Sequence, residues 1–533
     1  MDTITKRIVK GALLLTIAGL ISKILSAAYR VPLQNLTGDL GFYIYQQVYP
    51  IIGTVMILSL YGFPVAVSKL TAEMVEERKE ITLKHFYLPI LIILFVINGG
   101  FFLLLFTLAP YIAEWIGDIK LQRSFQLAAC LFLFIPFLSL LRGKFQGKEE
   151  MGQTALSQVV EQITRVSIIV SIAYYIYMER MNIYKIGEAG VIATMAGMSI
   201  AILTLSIHSL RRKEKQSKMV LSNQIPWKQY IHVCITLGVA ASLNHLILII
   251  IQFADVINLV PNLMKFGLSS IHAKETKGIF DRALPLIQFG VVFGSSFALA
   301  LVPAVASKKQ RQQGDHNLYG SIREAIVFSL YIALGATVGL VLLLPETNLL
   351  LFTNTDGTGS LQILVVSIVL TSISITGCAI LQSLGFIKKP ALWMVITFII
   401  KYLLNNLFVP LVGIYGSAIA TVGSLFFLCG MVLLTLKQKL PGLSIFNNVH
   451  WKALIIANGG MALYLILAKN ILLFLTEPTR GSMVFYVPFL VVSGATIYLL
   501  LLLRFQAFTK AQLQALPYAS FFINVQDHFA KRR

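Results

Sequence analysis

Basic side chains stand inside stretches of this sequence that are otherwise almost entirely apolar. Lys23, Arg165 and Lys401 each fall well inside such a run, and Arg30 and Arg282 fall at the ends of two others. A charge at such a position costs about 2.5–3.5 kcal/mol on insertion scales, so it usually faces a cavity or a partner. Arginine binds phosphate through a two-pronged fork, and lysine acts as a point charge. The set therefore predicts a binding site for an anionic substrate.

The same residues also allow a structural interpretation. Glu161 and Arg165 are spaced i, i+4 and would then neutralise one another on one helix. Arg30 and Arg282 would be interfacial residues whose charged ends reach water. Lys401 would make a polar contact between two helices. The residue types alone leave both interpretations open.

Glu161, Asp255 and His245 are the candidates for charge pairing or for coupling to an ion. Asp255 falls at the predicted outer end of the seventh helix, and His245 falls within that helix. A histidine packed in the core is the structural alternative to a proton-coupling role. No cysteine or histidine spacing fits a metal site, and no GxxxxGK[ST] phosphate loop occurs. We therefore expect no metal and no cofactor.

The elements that must position these residues are membrane-spanning helices. The 533 residues are 57% hydrophobic and 13% charged, whereas soluble domains are about 25% charged. Apolar windows of bilayer length predict an all-α polytopic membrane protein with about fourteen transmembrane helices. These windows cover residues 10–30, 45–67, 86–109, 121–141, 153–177, 187–209, 230–253, 283–306, 323–344, 361–384, 391–411, 413–436, 453–475 and 483–503.

The distribution of basic residues predicts the orientation of the chain. The net charge is +21, but the basic residues form short clusters between apolar segments, which favours membrane topology over a nucleic-acid partner. With a cytoplasmic N-terminus, thirty of the 44 Lys and Arg residues fall on the cytoplasmic side and ten on the other. The positive-inside rule then predicts that both termini are cytoplasmic.

Recurring short motifs indicate an internal duplication. Four pairs recur in the same order about 226 to 239 residues apart: PVAVSK (64–69) with PAVASK (303–308), Pro50 with Pro285, Gly147 with Gly385, and GEAGVIAT (187–194) with GIYGSAIAT (413–421). Six helices per copy is an even number, so the copies are parallel repeats. We therefore predict an N-lobe at 1–222, a C-lobe at 223–440, and two C-terminal helices with a cytoplasmic tail at 441–533. Such a pair of lobes is the usual arrangement of an alternating-access transporter.

Three segments carry a resemblance to a known family. SKILSAAYRVPLQNLTGDLGFYIYQQVYP (22–50), GFPVAVSKLTAE (62–73) and PLIQFGVVFGSSFALALVPAVASK (285–308) resemble the stage V sporulation protein B group of bacterial polysaccharide transporters. That group belongs to the multidrug/oligosaccharidyl-lipid/polysaccharide exporter superfamily, which also contains the lipid II flippases. The resemblance extends over essentially the whole chain.

The resemblance implies a V-shaped pair of six-helix bundles that moves a polyprenyl-pyrophosphate-linked saccharide outward. In the flippases, basic residues of helix 1 and of the central cavity contact the pyrophosphate, and the matching positions here are Lys23, Arg30 and Arg282. Where the flippases carry a basic residue in helix 2, this chain has Gln46 and Tyr49, which we expect to contact the substrate. This departure favours a related lipid-linked glycan over lipid II itself.

The leading hypothesis is a transporter, not an enzyme, in the bacterial plasma membrane. It would act as a monomer on a lipid-linked anionic saccharide of the cell envelope or spore wall. One alternative is a multidrug or organic-cation antiporter, which would need lone carboxylates within the membrane. A membrane glycan polymerase or glycosyltransferase would need external loops rich in acidic and arginine residues, which this chain lacks. A non-transporting assembly factor is the third alternative.

Overall fold

The computed structural model describes residues 3–76, 83–211, 225–295, 315–445, 447, 449–475, 477–509, 512–513 and 519–531. Nearly all of these residues are helical, and none of them lies in a β-strand. The predicted all-α class is therefore confirmed. The motif at 303–308 and the end of the eighth predicted helix lie outside the described residues.

The first of two compact units comprises Met1–Pro261 and Ser270–Gly278. Its most extensive helix contacts are α7 with α8, α3 with α6, and α1 with α7. A π-helical turn, Leu58–Gly62, joins α2 to α3. The helices that supply this unit are α1 (Thr3–Ala28), α2 (Arg30–Ile57), α3 (Phe63–Glu76), α4 (Leu88–Trp115), α5 (Gln122–Cys130), α6 (Ile135–Gly147), α7 (Met151–Met178), α8 (Lys185–Arg211), most of α9 (Trp227–Lys265) and most of α10 (Ser270–Asp281).

The second unit comprises Asn262–Ser269 and Ile279–Arg533. Helix α15 packs along α16, and α17 and α18 pack on each other and on α12. The helices of this unit are α11 (described over 283–295), α12 (Asp315–Phe352), α13 (Thr358–Val365), α14 (Ser367–Ser383), α15 (Lys388–Val412), α16 (Ile414–Lys439), α17 (Trp451–Leu475), α18 (Arg480–Arg504) and α19 (Ala519–Lys531).

The described helices account for the predicted membrane spans. Twelve of these stretches are long and apolar enough to cross a membrane. The first of them, Leu14–Glu76, has 63 residues and contains two of the predicted helices. The eighth predicted helix is described only to residue 295. The polytopic class predicted from the apolar windows is therefore confirmed.

Helix boundaries near the candidate residues differ from the sequence prediction. Arg30 begins α2 rather than ending the first helix. Asp255 lies inside α9, which continues to Lys265, and the helix α10 follows in a segment where no helix was predicted. The reason is that a hydropathy window detects only the part of a helix that matches the bilayer. Gly38, with φ of 67°, breaks the backbone of α2 after its first eight residues.

The boundary between the compact units does not coincide with residue 222. Residues 227–261 of α9 belong to the first unit. They pack closely against the π-helical turn, because a Cβ on Gly62 would lie 2.9 Å from the carbonyl oxygen of Gly238. The compact units describe packing, whereas the lobes were inferred from repeated motifs, so the duplication remains a prediction.

Candidate anion-binding site

Five buried side chains of the first unit form what we call the arginine–tyrosine cluster: Arg30, Arg165, Tyr29, Tyr45 and Tyr49. The Cζ of Arg30 lies 4.1 Å from the centre of the Tyr49 ring. The Cζ of Arg165 lies 5.9 Å from the centre of the Tyr29 ring. The hydroxyls of Tyr29 and Tyr45 are hydrogen-bonded to each other. The cluster thus joins the start of α2 to the middle of α7.

Local sequence explains why these rings meet. Tyr45 and Tyr49 are four residues apart on α2, so they share one helix face, and their ring centres are 6.0 Å apart. The Tyr29 ring meets Tyr45 edge-on, with the ring centres 6.0 Å apart. Gly190 of α8 makes room for Tyr45, because a Cβ there would lie 2.6 Å from the ring.

The cluster carries two positive charges that the described residues do not neutralise. Arg30 and Arg165 are each 1% exposed, and neither forms an ion pair with a carboxylate in the described part of the chain. The Nε and Nη2 atoms of Arg30 and the Nε of Arg165 have no hydrogen-bond partner there. Aromatic rings offset part of the burial cost through cation–π attraction. The spare donors suit an anion with several acceptor oxygens.

The intrahelical pair of Glu161 with Arg165, one of the two interpretations that the sequence left open, does not form, and each residue has other contacts. Glu161 Oε2 lies 2.5 Å from Nη2 of Arg142. Arg165 instead contacts neutral groups, with Nη2 donating to Gln162 Oε1 over 2.5 Å and Nη1 facing the Met56 sulfur. The carboxylate is thus neutralised without using Arg165.

Arg142 is the main residue that the sequence reasoning missed. The apolar window 121–141 ends one residue before Arg142, so the sequence pattern places Arg142 in a cytoplasmic loop. In the structure α6 continues to Gly147, and Arg142 is fully buried within it. Glu161, the one acidic residue deep inside the following helix, was the sequence signal that could have identified Arg142 as its partner.

Lys23 is brought together with His245 and with aromatic and amide groups. The His245 ring stacks on Tyr61, with ring centres 3.9 Å apart and an interplanar angle of 18°. Lys23 is half-buried and close enough to His245 to interact electrostatically. Gly19, one turn before Lys23, lies next to the same groups, since a Cβ there would be in ordinary contact with the Tyr61 hydroxyl at 3.5 Å and the Gln158 amide at 3.8 Å.

Two other predicted residues of the first unit are buried. Gln46 follows Tyr45 on α2 and is 3% exposed. Neither its amide nitrogen nor its amide oxygen has a hydrogen-bond partner within the described ranges. Asp255 is 6% exposed within α9. Gln46 therefore offers a donor and an acceptor that protein groups do not occupy.

Arg282 and Lys401 belong to the second unit. Arg282 is fully buried, donates from Nη1 to Asn354 Oδ1 over 2.6 Å, and lies 5.5 Å from the Phe352 ring centre. The Nζ of Lys401 donates to the Ser417 carbonyl at 2.9 Å, the Ser417 hydroxyl at 3.0 Å and Thr421 Oγ1 at 2.6 Å. Because its ammonium donates to both Ser417 and Thr421 of α16, Lys401 is a polar contact between α15 and α16.

A second polar cluster, also not predicted, fastens α10 within the first unit. Lys274 of α10 lies 2.9 Å from Asp118 Oδ2. The hydroxyls of Tyr184 and Tyr43 donate to Asp118 over 2.9 and 3.3 Å. Burial and the negative charge of Asp118 raise the pKa of Tyr184 above its ordinary value. Since these groups already bind the Asp118 carboxylate, the cluster has a structural role: it attaches α10 to the other helices of the first unit.

The chain was compared with known protein families and proteins. Residues 8–309 match the family described as polysaccharide biosynthesis protein. An uncharacterized membrane protein of Bacillus subtilis, YabM, is 36% identical over 522 residues, covering 96% of this chain and 95% of that protein. Stage V sporulation protein B of Bacillus subtilis is 26% identical over 453 residues, covering 80% and 82%. The solved structure of the lipid II flippase MurJ in an inward closed conformation aligns with a TM-score of 0.65 at 13% identity, covering 92% and 98%.

Proposed function

The chain belongs to the polysaccharide biosynthesis protein family, and from that premise we propose that it carries a lipid-linked anionic saccharide across the bilayer. The resemblance seen in the sequence is confirmed, and the protein is a membrane transporter rather than an enzyme. The proposal concerns the substrate. A polyprenyl pyrophosphate-linked saccharide has an anionic centre, a polar glycan and a long apolar tail.

The arginine–tyrosine cluster is the observation that carries the proposal. Arg30 and Arg165 have no carboxylate partner among the described residues and have spare donors, an arrangement that suits the several acceptor oxygens of a pyrophosphate. Gln46 and the tyrosine rings supply amide and aromatic groups of the kind that bind sugars. The relatives' names mention sporulation and lipid II flipping, so an envelope or spore-wall glycan is the class of saccharide we propose.

A carrier of organic cations is the less suitable alternative. Such a carrier needs an intramembrane carboxylate that is available to its substrate. The ion pair with Arg142 occupies Glu161. Arg30 and Arg165, which have no carboxylate partner among the described residues, are positively charged.

Reconstitution into vesicles tests the proposal. A fluorescent polyprenyl-pyrophosphate oligosaccharide is placed in both leaflets, and a membrane-impermeant quencher reports the outer fraction over time. We expect the protein to increase the rate at which the protected fraction becomes quenched, and we expect a neutral glycolipid of equal tail length to stay protected. Equal movement of both lipids, or movement of neither, would contradict the proposed substrate.

The orientation is part of the same proposal. We expect both termini in the cytoplasm, with outward movement of the substrate through alternating access. Labelling of single cysteines placed near each terminus in sealed cells tests this topology. Labelling of either terminus by an impermeant reagent added outside would contradict it.

A further inference from the structure

Each of the three guanidinium nitrogens of Arg142 donates a hydrogen bond, and the partners lie on α7 and on the π-helical turn Leu58–Gly62. Its Nε donates to the Ser157 hydroxyl over 3.2 Å, and its Nη1 donates to the Ser59 carbonyl over 3.1 Å. Its Nη2 donates to Glu161 Oε2 over 2.5 Å. All of these groups are fully or almost fully buried. Arg142 therefore differs from Arg30 and Arg165, because some nitrogens of those two residues have no partner among the residues that the structure describes.

The contact with Ser59 is a consequence of the sequence around the π-helical turn. The N–H of Phe63 donates to the carbonyl of Leu58 rather than to that of Ser59. The next residue, Pro64, has no N–H to donate. The Ser59 carbonyl is thus left without either helical donor, and Arg142 supplies one. This contact fixes where the guanidinium lies.

Helix α7 places Glu161 and Arg165 where they would otherwise meet. The two residues are four positions apart and share a face. Helix α8 packs on this face at Gly197, where a Cβ would lie 2.7 Å from the Glu161 carbonyl oxygen and 3.4 Å from the Arg165 Cβ. In the absence of another cation, Arg165 is the nearest partner along the helix for the buried carboxylate.

We propose that Arg142 is a positioning residue that holds Glu161 away from Arg165 and so leaves the charge of Arg165 for the anionic group of the substrate. Glu161 and Arg142 cancel, and the three ionisable groups keep one positive charge on Arg165. This inference rests on the proposed function for its ligand. By this inference Arg142, which lies outside the arginine–tyrosine cluster, keeps that cluster positively charged.

A charge-rescue experiment with the full-length protein in detergent tests the inference. The variants are Arg142→Gln, Glu161→Gln and the double variant, and the probe is a short-chain prenyl pyrophosphate. We expect Arg142→Gln to weaken binding about 10- to 100-fold, because Glu161 then pairs with Arg165. We expect the double variant to bind within about threefold of the wild type, because Arg165 is again unpaired. A purely structural role for Arg142 predicts no rescue.

Arg123→Gln is the matched control, because Arg123 is an exposed residue that forms an ion pair with the half-buried Glu188 at 3.3 Å. We expect it to bind the probe as the wild type does. If Arg142→Gln does not fold, the double variant is compared with the triple variant that also carries Arg165→Gln. Loss of binding only in the triple variant supports the inference. Failure of a folded double variant to bind, while the wild type binds, overturns it.

A double-mutant cycle measured by melting temperature tests the inference without a ligand. In the wild type, Arg165→Gln should leave the melting temperature unchanged or raise it, because Arg165 has no acidic partner among the described residues. In the Arg142→Gln background the same change should lower the melting temperature, because it breaks a Glu161–Arg165 pair. If Arg142→Gln does not fold, Arg142→Lys is used as the second background instead. We then expect a smaller difference between the two melting-temperature shifts. Equal shifts in both backgrounds overturn the inference, whereas a wild type that ignores the probe contradicts only the proposed function.

Discussion

Arg165 and Lys401 are both basic residues inside apolar runs of the sequence, but they have different surroundings in the structure. Replacing Arg165 with glutamine should mainly affect binding, and replacing Lys401 should mainly affect stability. Arg165 contacts neutral groups, and its Nε has no hydrogen-bond partner in the described part of the chain. Lys401 gives its ammonium hydrogens to Ser417 and Thr421. We predict that Arg165→Gln weakens binding of a prenyl pyrophosphate with little effect on stability. We predict that Lys401→Gln lowers stability with little effect on binding.

The magnitudes follow from the contacts. A hydrogen bond to a charged group contributes about 1.5–3 kcal/mol, and each 1.4 kcal/mol is tenfold in affinity. Arg165→Gln should therefore raise the dissociation constant about 10- to 150-fold. Lys401→Gln leaves acceptors of Ser417 and Thr421 without their donor. An unsatisfied buried group costs about 1–3 kcal/mol, and this loss should appear in the free energy of unfolding.

Both quantities are measurable on the same samples. Calorimetric titration with a short-chain prenyl pyrophosphate gives the dissociation constant, and thermal unfolding in detergent gives the relative stability. The reasoning is refuted if Lys401→Gln weakens binding as much as Arg165→Gln does. It is also refuted if folded Arg165→Gln binds the probe with unchanged affinity.

Three further predictions concern stability. Gly278→Ala should destabilise the docking of α10 by about 1–3 kcal/mol, because its Cβ would lie 2.1 Å from the Asp39 carbonyl oxygen; faster hydrogen exchange in α10 would report this. Gly413→Ala should cost about 1–3 kcal/mol in thermal unfolding, because Gly413 has φ of 61° and ψ of −139° between α15 and α16; an unchanged melting temperature would contradict it. The raised pKa of Tyr184 means that its contribution to stability is complete below the ordinary tyrosine pKa of 10.0 and is lost at higher pH; in Asp118→Asn this alkaline loss should be smaller, as measured by melting temperature against pH.

Much of the fold was predictable because the bilayer imposes a simple rule on composition. A helix that crosses it needs about 20 apolar residues, so hydropathy located the spans and the all-α class. The helix ends were less predictable, since Arg30, Asp255 and α10 lie where polar residues continue or begin helices. Hydropathy carries no information on where such helices stop.

The sequence by itself determined which residues are unusual, namely the cations that interrupt apolar helices. A buried charge is costly wherever it lies, so its presence in an apolar run is informative without coordinates. Only the tertiary structure decided how each cation is used. Spacing along α7 suggested a Glu161–Arg165 pair, but α6 brings Arg142 to Glu161 instead. Partners in an ion pair are chosen by distances between helices, and these distances depend on packing at positions such as Gly197 and the π-helical turn.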